Sequence, residues 1–493
     1  MNIPFSRSAA LFSLGLALSL TACNKQLDIE PRQSVDATTA IDTQDKVGSA
    51  VVGLYAELDD PNLYGTNLIL VPELLAVDNY IRFQGTFSNF RDIAVRNTNS
   101  SNSTAETIWR EAYQAINQAN LVLEALPVVT SESLHAQYEG EARFVRAAMY
   151  FELVRLYGKQ YVAGTTNSQP GVPINLTPVR TVEQASASNS RATVEAVYAQ
   201  VIDDLTQATK LLPASNGVRA TAYSAHALLA RVYLQQGNFA AAKEKANLVI
   251  TKSGKALAPT VESVFSSRNS SESLFEIQQN DQNNAGSSNA GLGTHYASIG
   301  QFGRGDVLVL PAFANLYGAT DARGYGPTAA NGTPALLYNS TGARRVAAPG
   351  RALRTGKFKT ASQNIPVIRL AEMYLIRAET AFRAGDVPGA LADLNLIRSR
   401  SNATLLTEAD LTPLNGLTTI LRERQLELAF EGFRIYDLKR FNAILVPARA
   451  ATATTAAVPA VLANSDRLTL PIPKRETDLN DPNSPALEQN PGY

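Results

Sequence analysis

Residues 364–400 read NIPVIRLAEMYLIRAETAFRAGDVPGALADLNLIRSR, and the fold turns on how this stretch is read. Val367, Leu370, Ala371, Tyr374, Ala378, Ala381 and Phe382 recur at offsets of three and four, which lines one face of a helix with apolar groups. Gly385 can take the left-handed conformation that ends such a helix, and Asp386 can cap a second one that carries Ala390, Leu391, Leu394 and Ile397 inward. The spacing predicts a helical hairpin. Its small residues Ala378, Gly385 and Ala390 stand where two antiparallel helices come closest, as in a tetratricopeptide repeat.

Working outward, SAHALLARVYLQQGNFAAAKEKANLVI (224–250) repeats the pattern, with Ala230, Gly237 and Ala242 at the same offsets of seven and five. One such hairpin cannot bury its own apolar face, so the two are expected to stack despite the long segment between them. Further helices are predicted over about 43–58, 106–127, 131–157, 194–212 and 417–442. In the last, Arg424/Glu427, Glu431/Arg434 and Asp437/Arg440 read as ordinary surface or inter-helix ion pairs, each contributing roughly 0.2–0.5 kcal/mol. From Leu63 to Thr104 helical period is lost, and the segment reads as a loop. LFEIQ (274–278) reads as a short strand, followed by a Gly-, Asn- and Ser-rich run to 305, and the Ala/Thr run 448–463 reads as a loop.

The chain of 493 residues balances 44 basic against 44 acidic side chains and is 45% hydrophobic. It is an ordinary globular composition with no electrostatic case for nucleic acid. With Cys23 as the single cysteine and His135, His226 and His295 as the only histidines, an intrachain disulfide is impossible and a Cys/His zinc site is not supported. The start of the chain is more specific. Arg7 is followed by an apolar run from Ala9 to Leu20, too short to span a bilayer, which reads as a secretion signal over 1–22. It ends in Leu20-Thr21-Ala22-Cys23, which resembles the bacterial lipobox, so Cys23 is the expected lipidation site and residues 23–40 a polar tether.

Several ordered blocks go beyond pattern. RFVRAAMYFELVRLYG (143–158), GVPI (171–174), LFEIQ, IPVIRLAEMYLIRAE, ERQLELAFEGFRIYDLKRF (423–441) and LPIPKRETDLNDPNSPALEQNPGY at the end together resemble the SusD/RagB family of nutrient-binding outer-membrane lipoproteins. The resemblance implies a mainly α fold: a tetratricopeptide-like helical scaffold carrying an irregular, partly β, loop-rich subdomain. Along this chain it implies an N-terminal helical region over 41–254, the irregular subdomain over 255–363, and a second helical region with a packed tail over 364–493. It further implies an outer-membrane, outward-facing location, a SusC-like TonB-dependent transporter as partner, a glycan, oligosaccharide or other nutrient such as a peptide as ligand, no cofactor and no enzymatic activity.

No catalytic signature stands out. G-x-S-x-G, P-loop and H-E-x-x-H patterns are absent, and Asp281, Asp306 and Asp321 in the irregular region show no pairing of the kind glycoside hydrolysis needs. A secreted hydrolase with its active site in 255–363 is the competing reading. Binding suits these loops better, because sugar rings stack their C–H faces on aromatic rings while polar side chains satisfy the hydroxyls. The candidate ligand residues are Asp78, Arg82, Phe83, Phe87, Phe90, Arg91, Tyr296, Phe302, Arg304 and Tyr325, with Tyr80 and Asn99 nearby. The single tryptophan, Trp109, falls on the apolar stripe of a predicted helix and is expected to pack the scaffold.

The lipobox makes a direct prediction. Cys23→Ala is expected to leave the fold intact and release the protein from membranes in cells that lack a barrel partner, measured by membrane fractionation; retention at the wild-type level contradicts lipid anchoring.

Overall fold

Polar residues placed one step ahead of apolar periodic runs start most of the helices. Thr43, Asn102, Ser131, Thr193, Thr221, Asn238 and Asp386 each accept a backbone N–H from the first turn with a side-chain oxygen. The computed structural model describes residues 41–77, 79–181, 184, 190–285, 290–325, 335–340, 352–446, 460–478, 480–481 and 484–493. The expected signal peptide, Cys23, the tether, Asp78, Pro482 and most of the Ala/Thr run lie outside the described residues.

In chain order the elements are α1 Gln44–Leu58, α2 Asn67–Leu75, β1 Ile81–Phe83, α3 Ser88–Ala94, α4 Ser103–Ala125, α5 Glu132–Tyr157, α6 Val194–Leu211, α7 Ala222–Gln236 and α8 Phe239–Lys252. After these come α9 Val261–Ser266, β2 Ser273–Ile277, α10 Leu292–Tyr296, β3 Val307–Val309, α11 Pro311–Ala314, β4 Leu337–Asn339 and β5 Leu353–Thr355. The last main group is β6 Ile365–Arg369, α12 Leu370–Arg383, α13 Val387–Arg400, α14 Gly416–Glu427 and α15 Arg434–Arg440. Residues Thr43–Tyr493 pack as one compact unit. It is a mainly α molecule: α4, α5, α6, α7, α8, α12 and α13 each pack on the next, so the hairpins α7/α8 and α12/α13 stack directly on one another. Both turns are as the spacing predicts, with Gly237 at φ +78° and Gly385 at φ +82°, and Ala230, Ala242, Ala378 and Ala390 wholly buried.

Three expectations are corrected. Val367 lies in β6, which pairs antiparallel with β2 and runs straight into α12, so the helical stripe begins only at Leu370. The span 63–104 holds α2, β1 and α3 rather than one loop; α2 is buried along its whole length, which erases the polar face that reveals a helix. The helix expected over 417–442 is two helices. Between them Phe430 and Gly432 take positive φ, and Lys357 Nζ donates to the carbonyl oxygens of Glu427 and Ala429 at 2.7 and 2.9 Å.

The expected ion pairs on that helix are also rearranged, and they are buried rather than superficial. Arg369 uses all five N–H donors: on Glu431 twice, on the Glu272 and Glu427 carboxylates, and on the Glu427 carbonyl, at 2.7–2.8 Å. Around it Lys357 bonds Glu431, Arg323 bonds Asp321, Glu423 and Glu427, Arg398 bonds Glu423, and Arg400 bonds Glu272 and Glu427. Five cations thus meet five carboxylates in the interior. Of the expected three-residue pairs, Asp437–Arg440 forms, and Arg424 pairs with Asp437 instead of Glu427.

The five-proline tail packs on the helices. Leu470 N–H donates to Leu156 O at 2.8 Å, Asn490 Nδ2 donates to Tyr157 O at 2.8 Å, and Ile472 is buried.

Burial alone pushes the Glu427 carboxyl up, but Arg400, Arg369, Arg323 and Lys357 more than offset it and hold it well below the carboxylate range. A depressed folded-state pKa contributes stability that is present above the unfolded value and lost as pH falls through the folded one. Glu427→Gln is therefore expected to cost about 3–5 kcal/mol at neutral pH, measured by denaturant unfolding, and to flatten the acid limb of the melting-temperature profile below about pH 4.5.

Candidate functional site

Phe83, Phe87, Phe90 and Arg304 converge where β1 meets the segment between α10 and β3. Strand IRF alternates, so Ile81 and Phe83 face inward while Arg82 is exposed. Beyond it Gly85 sits where a Cβ would lie 2.6 Å from the Phe83 ring and 2.7 Å from the Asp306 carboxyl carbon, so only glycine lets the chain pass and turn toward α3. Phe87 precedes α3 and leaves its ring 42% exposed.

That ring is fixed from three sides. The Arg304 guanidinium lies 4.5 Å over its centroid, Phe90 meets it edge-on at 6.2 Å, and His295 approaches at 6.4 Å. Phe90 in turn meets Phe83 at 5.9 Å and His295 at 5.2 Å. Asp306 organises the polar side: it accepts from Arg304 Nε at 2.9 Å and from Arg304 Nη2, and His295 Nδ1 lies 3.0 Å from its Oδ2. Burial pulls the imidazole down, against the opposing effect of Asp306, so the ring is neutral at pH 7 and donates to Asp306 from Nδ1. Burial would raise Asp306, but His295 and Arg304 outweigh it and keep the carboxylate ionised. The result is an aromatic face with a charged rim, held rigid from behind.

The other candidates scatter. Tyr296 is 0% exposed and packs against Phe358 and Phe430, so it serves the core and offers no face to a ligand. Phe83 and Phe90 are likewise buried behind Phe87. Phe302 is half-buried, its ring beside Gly293, and closes a small hairpin with Ile299. Arg91 is exposed on α3, and Asn99 accepts the Ser101 N–H within a turn. Tyr325 is 36% exposed and its hydroxyl accepts from Asn339 Nδ2 at 2.8 Å. Tyr80 is core, stacked on Phe430 at 5.4 Å. His295 and Asp306 are the members of the cluster that a search for ring-stacking residues passes over; their signal is the polar spacing H-x8-R-x-D, meaningful only once the segment folds back.

None of the three candidate carboxylates has the setting of a general acid. Asp306 is tied to Arg304 and His295, Asp321 is buried against Arg323, and Asp281 is exposed. A separate cleft of about 620 Å³ opens between α1, the 216–219 turn and β2, lined by Val52, Tyr55, Arg219, Phe275 and Gln278, and no sequence-derived candidate lines it. At its rim Asp59 is pushed up to about 6, mainly by burial.

Comparison with known proteins agrees with this architecture. A family profile described as SusD-like, "Starch-binding associating with outer membrane", matches residues 25–234, and the SusD family profile matches residues 344–493. The SusD-like protein P2 of Formosa agariphila is 27% identical, over 97% of this chain and 98% of its own. A SusD superfamily protein from Bacteroides thetaiotaomicron superposes with a TM-score of 0.77 at 26% identity, covering 91% of this chain and 100% of that one. A protein from Bacteroides vulgatus described as a putative sugar binding protein gives 0.77 at 25% identity, covering 92% and 100%.

Position in this cluster separates ring from ring. Phe87→Ala is expected to leave the melting temperature within about 1 °C of wild type, whereas Tyr296→Ala and Trp109→Ala are each expected to cost about 3–5 kcal/mol in denaturant unfolding.

Proposed function

The chain belongs to the SusD/RagB family, and on that premise we propose that it is a surface-exposed outer-membrane lipoprotein, anchored through Cys23, that captures a glycan or oligosaccharide and passes it to a SusC-like TonB-dependent transporter. The observation that carries the capture step is the Phe87 ring, 42% exposed, with the Arg304 guanidinium stacked 4.5 Å over one face. A sugar's C–H face stacks on such a ring, and the charged rim bonds its hydroxyls. Arg91, whose backbone N–H donates to Phe87 O at 3.2 Å, is a further exposed polar residue beside it.

Anchoring by lipid is supported by the lipobox and by the helices: among the described residues none is long and apolar enough to cross a membrane. Delivery is supported by the stacked hairpins, which present broad rigid faces suited to a protein partner. The geometry does not favour the hydrolase reading, since Asp306 and Asp321 are held in ion pairs and Asp281 is exposed.

Calorimetric titration of the full chain with a glycan panel tests capture. Phe87→Ala and Arg304→Ala are expected to weaken binding several-fold or more, the loss of an aromatic contact worth about 0.5–1.5 kcal/mol beyond its area. Unchanged affinity in both variants moves the site elsewhere, and turnover of the glycan by pure protein contradicts a binding-only role.

A further inference from the structure

Among the described residues, three of the four arginines that are less than 2% exposed, Arg323, Arg369 and Arg424, bond carboxylates. The fourth does not. Among the described residues Arg354, 0% exposed at the centre of β5, bonds only the Leu353 carbonyl, and its Nε and Nη2 find no partner. An uncompensated buried guanidinium is a costly arrangement in a fold that pairs its other fully buried arginines with carboxylates.

Its neighbours show the same deficit. The sheet runs β1-β3-β5-β4, and Arg82 pairs with Leu308 while Tyr338 pairs with Arg354. With Val309 opposite Leu353, Leu308 falls opposite Arg354, so Arg82, Leu308, Arg354 and Tyr338 form one row on one face. Arg82, at the open end of the row, is exposed. Over Arg354 lies Gly305, where a Cβ would stand 2.7 Å from its Nε and 2.9 Å from Ser298 Cβ. Among the described residues Ser298 Oγ and Gln84 Oε1 are also buried without partners, and Gln84 Nε2 donates to Gly305 O at 3.0 Å. Asp306 acts on Arg354 only through space, being bonded to Arg304 and His295. Two guanidinium donors, a hydroxyl and an amide oxygen are thus left open around one glycine.

We propose that the captured glycan is acidic, and that Arg354 and Arg82 receive its carboxylate or sulfate group while Ser298 and Gln84 bond an adjacent hydroxyl. This rests on the capture reading above and specifies its ligand class. An anion accepts from both open N–H groups of Arg354 in the planar fork geometry that guanidinium favours. Gln84 Oε1 needs a donor, which an anion lacks and a sugar hydroxyl supplies. Entry requires segment 298–305 to lift. Ser298 N–H on Tyr338 Oη at 3.2 Å, the Gln84 bond, Arg304 N–H on Thr294 O at 2.7 Å and the Arg304–Asp306 pair tie it down, and Gly303 and Gly305, at φ +79° and +60°, are the positions at which its backbone can turn.

The test is calorimetry on the full chain, wild type, Arg354→Met and Arg82→Ala, with oligosaccharides of equal length from neutral β-glucan, uronate-bearing alginate and sulfated carrageenan. Wild type is expected to bind one acidic series at least about tenfold more tightly than the neutral one, and which series binds distinguishes carboxylate from sulfate. Both variants are expected to lose that preference, with Arg354→Met melting at or above the wild-type temperature because no ion pair is broken. Binding of the neutral series alone overturns the inference and leaves the capture reading standing; binding of none of the three overturns both. A preference that survives Arg354→Met, or a large fall in that variant's melting temperature, shows Arg354 to be structural and overturns the inference.

Discussion

Arg369 sits where every layer of the molecule meets, and the demand that its five donors be met in a dry interior constrains the rest. Removing one ion from water costs on the order of several kcal/mol even after relaxation, and attraction offsets this only when geometry and hydrogen bonding are complete. Completeness here needs partners from distant parts of the chain: Glu272 ahead of β2, Glu427 at the end of α14, and Glu431 in the turn before α15. Neighbouring cations bind the same carboxylates, so no member can move without stranding another. Arg323 and Lys357 in the irregular part connect through Glu423, Glu427 and Glu431 to the helices. This is the mounting that sets the loop-rich face on the helical stack.

The mounting also explains a local departure from helical rule. A continuous helix from 417 to 442 would place Glu427, Glu431 and Arg434 along one side, with their carbonyls bonded within the helix. Instead Lys357 takes the carbonyls of Glu427 and Ala429, Arg369 shares that of Glu427, and the Phe430 and Gly432 amides donate to Tyr80 Oη and Glu73 Oε1 at 2.7 Å. These backbone groups, freed by the break, are collected by side chains from other elements, which offsets the strain of a positive φ at Phe430. Tyr80, held this way, fixes the start of β1 and hence the face of the sheet on which Arg82 emerges.

What could be read from sequence follows the range of the forces involved. The hairpins, their left-handed glycines and the polar caps depend on residues within a turn or two, and they fall where spacing puts them. Pairing of β1 with β3 joins Ile81 to Val309, and nothing local in IRF or VLV announces it. For the same reason the candidate aromatics could be gathered by composition but not sorted. Phe83, Phe87 and Phe90 are equivalent in a loop-like sequence; only the fold puts the first and third beneath the second. Ion-pair spacing on the 417–442 segment was legible, but choice of partner belonged to Arg369, Arg400 and Lys357, which approach from other elements.

Rigid support and open chemistry are divided between the two faces of the small sheet. On one face Ile81, Phe83, Val307, Val309 and Leu353 are buried, so the strands are held by packing. On the other, the row Arg82, Leu308, Arg354, Tyr338 carries two like charges on either side of one leucine, with no carboxylate between them. Burial brings the Arg354 guanidinium down to about 10, with Tyr338 and Asp306 acting against the fall and Arg82 adding to it. Such a row is tolerated because the opposite face supplies the stability. A sheet that buries one side this thoroughly can leave donors on the other poorly satisfied, at a cost that packing on the first side offsets.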